Sequence, residues 1–311
     1  MSISKLSIVV PCFNEESNIQ ELFKELKEVV TTFSFSYEVI FVDDGSKDHT
    51  YLEIEKIANT YDYVSGISLS RNFGHQIALL AGLERSTGDV VITMDGDLQH
   101  PPHVIPDLIS KYEEGYDIVN TRRIDDESTS FFKKKTSSLF YAIINKLSDT
   151  KVEPFGADFR LMSRETVDAF LSIKEHDRFT RGLVSWIGFH QGTVAYKANP
   201  RFSGKSSYTL KKMIKLAVNG ITSMSSRPLR ISLYLGLIFF VTGIVYAIFI
   251  LYNYFIGLNV AGWTSILITI LILGGIQLLI MSIIGEYVSR IFNETKSRPL
   301  YLVKKKTNDI S

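Results

Sequence analysis

Asp95-Gly96-Asp97-Leu98-Gln99-His100 places two carboxylates one residue apart, directly after the apolar run Val90-Val91-Ile92-Thr93-Met94. That run is short, β-branched and bounded by turn-formers, so it reads as a buried strand. In an open α/β sheet, ligands bind beyond the carboxyl ends of the strands. Two acids placed there, with a glycine between them, can grip a hard divalent cation that in turn grips a diphosphate. The competing reading of an isolated Asp-x-Asp is an acidic loop capping the next helix. What else reaches the same edge decides between them.

The elements around the motif alternate. Leu6 to Val10 reads as a strand ended by Pro11, and Glu16 to Thr31 as an amphipathic helix through Ile19, Leu22, Phe23, Leu26 and Val29. Strands are expected at Tyr37 to Val42 and Val64 to Leu69, with helices at Asp48 to Thr60 and Gln76 to Glu84. Further strands are expected near Ile118-Val119 and from Phe159 to Ser163. Repeated strand–helix alternation predicts a largely parallel sheet covered on both faces.

Two more polar signatures fall at strand ends: Pro11-Cys12-Phe13-Asn14-Glu15-Glu16 and Asp43-Asp44-Gly45-Ser46. Taken singly, each is also a turn with a helix cap. Three acidic or amide-rich strand ends on one edge favour a nucleotide site, with Phe13 flanking a base and Asp43 or Asp44 accepting from a base N–H. Neither G-x-G-x-x-G after the first strand nor G-x-x-x-x-G-K-[ST] anywhere is present, which excludes the dinucleotide and P-loop readings.

The chain has 311 residues and a net charge of +1, without the basic excess of a nucleic-acid binder. The single cysteine, Cys12, forms no internal disulfide and fits a reducing compartment, where it is expected to pack at its strand end. The first residues lack the basic flank and apolar core of a secretory signal, so the N-terminal region is expected to stay cytosolic. Between Arg230 and Glu286 no charged residue occurs. Ile231 to Tyr254 and Thr264 to Ile284 are each long enough to cross a hydrocarbon core of ~30 Å as a helix. A buried helical hairpin is the alternative, disfavoured by two consecutive charge-free runs. Lysines and arginines flank both outer ends and none lies in the connecting turn, which predicts that both ends face the cytoplasm. Lys133-Lys134-Lys135 with Leu139 to Ile144, and Tyr208 to Met224, mix lysines with apolar residues. They read as amphipathic helices at the membrane interface or as core-packing helices with solvated lysines.

Leu6 to Ser46, Ser70-Arg71-Asn72-Phe73-Gly74, Asp95 to Pro101 and Asp158-Phe159-Arg160-Leu161-Met162 together resemble the inverting family 2 glycosyltransferases of the GT-A fold. Within them the chain resembles the subgroup that makes polyprenyl-phosphate sugars: the dolichol-phosphate mannose synthases and, closer because of the C-terminal hairpin, the bactoprenol glucosyltransferases. The likeness continues to Gly285-Glu286-Tyr287 and Arg298-Pro299-Leu300-Tyr301. It implies an α/β fold: a GT-A nucleotide-sugar-binding domain with a mostly parallel central sheet over residues 1–205. Next would come an interfacial amphipathic helix over 206–230, two transmembrane helices over 231–288 and a basic cytosolic tail over 289–311.

The resemblance also implies roles. Pro11, Phe13, Asn14, Glu15 and Asp44 would line the nucleoside pocket, with Asp43 nearby and Arg71 bordering the donor. Asp95, Asp97 and Gln99 would hold Mg²⁺ or Mn²⁺ and, through it, the diphosphate. Asp158 would sit beside the sugar, and Arg122 and Arg201 would meet phosphates. Two departures stand out: Ala157 where the family usually has Gly, and Gly204-Lys205-Ser206-Ser207 where it usually has G-x-[ST]-K. Whether Lys205 takes the lysine's place at Ser207 stays open. The implied reaction is metal-dependent, inverting transfer of a hexose from a UDP-glucose or UDP-GlcNAc type donor to a polyprenyl phosphate. Undecaprenyl phosphate is the favoured acceptor, at the cytosolic face of the cell (inner) membrane, and a homo-oligomer is the expected assembly.

The chemistry stands without the resemblance. Cleavage of an anomeric C–O bond leaves negative charge on the nucleoside diphosphate, which a cation and arginines stabilise in a dry site. A hydroxyl acceptor needs a general base. A phosphate monoester, with a second pKa of about 6, is already an anionic nucleophile. Asp158 therefore either abstracts a proton or only orients a substrate. A processive polysaccharide synthase would add a Q-x-x-R-W motif and more spans, neither of which is found. A sugar-nucleotide sensor would keep the pocket without the intact set Asp95, Asp97, Gln99 and Asp158.

Overall fold

The computed structural model describes residues 3–124, 156–176, 178–197, 225, 227–256 and 262–307. Arg201, Lys205 and both lysine-rich amphipathic stretches lie outside these residues.

The first half alternates as its sequence requires: β1 (Lys5–Cys12), α1 (Ile19–Val30), β2 (Ser36–Asp43), α2 (Thr50–Ala58), β3 (Val64–Leu69), α3 (His75–Arg85) and β4 (Val90–Thr93). After a 3₁₀ turn at Pro102–Val104 come α4 (Ile105–Glu113), β5 (Ile118–Arg123), β6 (Gly156–Ser163), α5 (Arg164–Ser172), α6 (Thr180–Trp186) and β7 (Gln191–Tyr196). Two long helices, α7 (Arg227–Phe255) and α8 (Trp263–Thr295), precede a last strand, β8 (Val303–Lys306).

The strands form one eight-stranded sheet in the order β7-β5-β6-β4-β1-β2-β3-β8. β1 is parallel to β2 and β4, β2 to β3, and β5 to β7. β6 runs antiparallel between β4 and β5, and β8 is antiparallel on β3. The mixed sheet is thus mostly parallel, as expected. Alternation of side chains along a strand gives it two buried faces. Ile8 and Val10 pack in one core with Ile19, Leu22 and Leu26 of α1, whereas Val9 packs in the other with Ala78 and Leu79 of α3. Each such fully buried aliphatic side chain contributes about 1.5–3 kcal/mol relative to exposure.

β6 is what completes the site. Its antiparallel register sets Arg160 opposite Thr93, and Thr93 Oγ1 donates to the Asp158 carbonyl at 2.6 Å. Asp158 is therefore held beside the end of β4, where Asp95 begins.

α7 and α8 span 29 and 33 residues, more than the ~30 Å of a hydrocarbon core demands at 1.5 Å per residue. Their apolar side chains face outward: Leu233 is 70% exposed and Phe240 66%. Such a continuous apolar surface needs a lipid or protein covering rather than water. The helices overrun the charge-free stretches; α8 continues past Glu286, which pairs with Arg290 one turn on at 3.0 Å. Near its C-terminal end, Glu294 accepts from the His176 N–H at 2.7 Å, and the Arg298 carbonyl meets His176 Nε2 at 2.7 Å.

Two strands, β7 and β8, lie beyond those expected from the sequence. Val303 to Lys306, within the segment read as a basic tail, add a strand to the sheet edge.

Candidate functional site

Three strand ends converge as their polar residues suggested. A cavity of about 280 Å³ opens at the carboxyl ends of β1, β2 and β4, lined by Pro11, Phe13, Glu15, Asp44, Asp95 and Asp97 of the expected set. Asn72, Gly74 and His75 complete the wall, together with Cys12, Ala78 and Gly96. Its lining sets carboxylates and backbone groups beside Pro11 and Phe13, the mix of polar and apolar contacts that small-molecule sites use. Phe13 is 41% exposed, which leaves a ring face open at the cavity.

The loops are tied to one another. Asn14 has φ +56 and its amide oxygen accepts from the Lys47 N–H at 2.9 Å, while its own N–H donates to Ser46 Oγ. Asp44 accepts from the Phe73 and Gly74 N–H groups at 2.7 and 2.9 Å, which fixes the 70–74 loop over the cavity. Burial pushes the Asp44 carboxyl above its usual range despite these two bonds. Asp43 lies deeper, taking the Ser46 N–H and the Ser68 hydroxyl. Gly45 sits at φ +65 against the Arg71 backbone, and a Cβ there would lie 2.4 Å from the Arg71 carbonyl carbon. Arg71 itself stacks on Phe73 at 4.0 Å. Asn14, Asp43 and Arg71 thus shape the wall without lining the cavity: the polar groups of Asn14 and Asp43 are engaged by neighbouring segments, and the Arg71 guanidinium lies on Asn72 and Phe73 of its own loop.

The acidic motif is braced from both sides. His75 Nε2 lies 2.6 Å from Asp95 Oδ1. The Asp95 N–H donates to His100 Nδ1 at 2.9 Å, so that nitrogen carries no proton and the ring's hydrogen faces the carboxylate from Nε2, 3.7 Å away. His100 is 5% exposed, stacked on Phe159 and edge-on to Tyr196. Leu98 is buried at φ +61, a strained position that turns the chain so that Asp97 and Gln99 meet. Gly96 approaches Cys12 closely; a Cβ would lie 2.9 Å from Cys12 Sγ. Cys12 itself is buried, and burial with the surrounding carboxylates raises its thiol well above the usual range, so it packs rather than reacts.

Gln99 is brought against Asp97. Its side-chain NH₂ donates to Asp97 Oδ2 at 2.7 Å and its amide oxygen accepts from Arg123 at 3.3 Å. These bonds hold the Gln99 amide beside Asp97. Arg123, rather than Arg122, is the guanidinium in contact with the motif, because successive side chains on β5 point to opposite faces. Among the described residues no three His, Cys, Asp or Glu side chains form a metal-ligating group. Two hard carboxylates fit a Mg²⁺-type ion that keeps waters and draws its remaining ligands from substrate phosphates.

Asp158 lies next to this centre between two guanidiniums. Arg160 donates to Oδ1 at 3.0 Å, and Arg181 spans both oxygens at 3.3 and 3.2 Å. Burial would push the Asp158 carboxyl up, but Arg181 and Arg160 outweigh it and hold the group well below the carboxylate range. The site residues missed in the sequence are His75, His100, Arg123, Arg160 and Arg181. His100 adjoins the motif and Arg160 the Asp158 segment, so proximity was a usable signal for both; nothing marks Arg181 before α6 is folded against β6.

The sequence profile described as glycosyl transferase family 2 matches residues 7–171, more than half of the chain. The chain belongs to glycosyl transferase family 2. A second profile, the GtrB C-terminal hairpin, matches residues 227–291 and so covers the two apolar helices of the transferase. The transferase is 43% identical over 301 residues to the glycosyltransferase YkcC of Bacillus subtilis, covering 96% of this chain and 93% of that one. It is 42% identical over 301 residues to the bactoprenol glucosyl transferase of Shigella phage SfX, covering 96% and 99%. Among solved structures, the mannosyltransferase PcManGT of Pyrobaculum calidifontis, in complex with GDP-Man and Mn²⁺, shares the fold. Its TM-score is 0.50 at 14% identity, over 72% of this chain and 64% of that one.

Proposed function

We propose that the transferase moves a hexose from a nucleotide sugar, UDP-glucose or UDP-GlcNAc in type, to the phosphate of a polyprenyl phosphate, with undecaprenyl phosphate the favoured acceptor. The observation that carries this reading is the placing of Asp95 and Asp97 at the end of β4, with the Arg160–Asp158–Arg181 cluster built on the adjacent strand β6, in a chain that continues into an apolar hairpin. The near full-length likeness to a bactoprenol glucosyl transferase supports the acceptor class and glucose.

Phe13 flanks the base, and Asp95 and Asp97, with Gln99, would hold Mg²⁺ or Mn²⁺. The bound cation supplies neutralisation of the charge that builds on the leaving group. His75 and His100 orient Asp95, and Gln99 orients Asp97. Arg181 and Arg160 keep Asp158 ionised, which makes it a poor base and a good anchor for sugar hydroxyls. The acceptor needs no base, since its phosphate is anionic near neutral pH. Its oxygen attacks the anomeric carbon opposite the departing diphosphate, with inversion. The hairpin keeps this attack at the cytosolic face of the cell membrane, where Arg227, Arg230, Arg290 and the lysines of residues 304–306 remain. Arg201 and Lys205 are proposed to receive the lipid phosphate, Arg122 and Arg123 to border the acceptor, and the assembly to be a homo-oligomer.

Purified protein incubated with radiolabelled nucleotide sugars and polyprenyl phosphate tests the reading. Label is expected in a lipid-extractable product with inverted anomeric configuration. Nucleotide binding without transfer would make the protein a sensor, and retained configuration would refute the single displacement.

A further inference from the structure

The segment leaving the second long apolar helix docks back on the catalytic domain. Leu300 and Tyr301 pack on the core that contains α3, and the Tyr301 hydroxyl donates to the Glu84 carboxylate. The Leu302 carbonyl accepts from the Ser70 N–H at 2.8 Å. β8 then runs along β3 with Lys305 opposite Ser68, as far as Thr307, which closes on Gly66 through its N–H at 2.9 Å and its hydroxyl at 2.8 Å.

Every one of these contacts falls on an element that carries a wall of the cavity or leads into one. Ser70 opens the loop that gives it Asn72 and Gly74. Glu84 lies on α3, whose first residue, His75, bonds Asp95. Ser68 donates to Asp43 at 2.6 Å, and Asp43 takes the Ser46 N–H in the neighbouring loop. Without β8, β3 would be an edge strand with a row of unpaired backbone groups beside the 70–74 loop.

The geometry points to residues 300–307 as a strap that positions the donor site. Tyr301 and Leu302 hold α3 and the 70–74 loop where Asn72, Gly74 and His75 meet a nucleoside diphosphate. A wall ordered before the ligand arrives spares the binding step that ordering cost. Because the strap follows α8 directly, the seat of the hairpin and the shape of the donor cavity are mechanically linked. This rests on the donor reading of the cavity proposed above.

The test uses the full-length protein in detergent or nanodiscs, with UDP and UDP-glucose binding measured calorimetrically in Mn²⁺ and KM measured for donor and acceptor separately. Tyr301→Phe is expected to raise the nucleotide Kd and the donor KM by roughly tenfold to 150-fold, the range for one hydrogen bond to a charged group. The acceptor KM stays unchanged. Lys305→Pro, which cannot donate to β3, moves Kd further in the same direction. Glu84→Gln keeps an acceptor oxygen and stays close to wild type, as does Lys304→Ala, whose side chain is exposed. Unchanged Kd in both Tyr301→Phe and Lys305→Pro, with the wild type binding, overturns the strap's role alone. So does a rise in donor and acceptor KM together with a lowered melting temperature. Failure of the wild type to bind either nucleotide overturns the donor reading and the strap with it.

Discussion

His75 and Asp95 are 20 positions apart in sequence, yet His75 Nε2 lies 2.6 Å from Asp95 Oδ1 across the mouth of the cavity. The contact exists because α3 starts at the end of the β3 loop while β4 delivers Asp95 to the same edge. A carboxylate braced in this way presents its second oxygen in a defined direction, which is how residues outside a ligand set govern an ion's affinity.

Removing that brace tests it. His75→Ala is expected to lower metal affinity about 10–100-fold, read as a shift in the Mn²⁺ concentration that half-saturates UDP-dependent thermal stabilisation. Asp97→Ala and EDTA are each expected to abolish transfer, with activity after EDTA returning on adding Mn²⁺ or Mg²⁺. Full activity in Asp97→Ala would refute the metal role.

The Asp158 cluster makes a prediction about pH and stability. A carboxyl whose folded pKa lies below its unfolded value of about 3.9 stabilises the fold above that value. The contribution is lost only as pH falls through the folded pKa. The melting-temperature gap between wild type and Asp158→Asn should therefore stay constant from pH 7.5 to 5 and shrink only below about 4. The stability difference behind that gap should be on the order of 3 kcal/mol, since Asn leaves the buried Arg160 without its counter-charge. A gap that widens as pH falls from 7 to 5 would show a carboxyl raised instead.

The same cluster predicts the rate profile. The acidic limb of kcat/KM should fall near pH 6, where the acceptor phosphate takes up its second proton. Arg181→Lys loosens the hold on Asp158 and should lower the rate without moving that limb. A limb that shifts with Arg181→Lys would assign the titration to Asp158 and restore it as a base.

Close packing under the acidic motif offers a paired test. Gly96→Ala would bring a methyl to 2.9 Å from Cys12 Sγ and is expected to destabilise the fold by about 1–3 kcal/mol and depress nucleotide binding. Adding Cys12→Ala removes the obstructing sulfur and should recover part of both, by thermal melting and UDP titration. No recovery in the double variant would place the cost in the Asp95–Asp97 backbone instead.

Local pattern carried much of this protein. The β-branched runs ending in Pro11, Asp43 and Met94 announced three parallel strands, because burial on both faces demands continuous apolar residues. The absence of charge between Arg230 and Glu286 announced two long apolar helices, because a charge in hydrocarbon is costly at any position. The motif residues Asp95, Asp97, Asp44 and Phe13 were legible because a ligand edge is built from the residues just past the carboxyl end of each strand.

Contacts between distant segments were not legible. His75 on Asp95, Arg181 on Asp158, Arg123 on Gln99 and β8 on β3 join residues 20 to more than 200 positions apart, and no local periodicity encodes such a pairing. The chain's chemistry of carboxylates and apolar length was thus set by composition and spacing alone. Which side chains orient those carboxylates, and that the segment beyond the hairpin returns to the sheet edge beside the cavity wall, were decided by the sheet order. A side chain's partner depends on which strand ends become neighbours, and that is a property of the folded sheet as a whole.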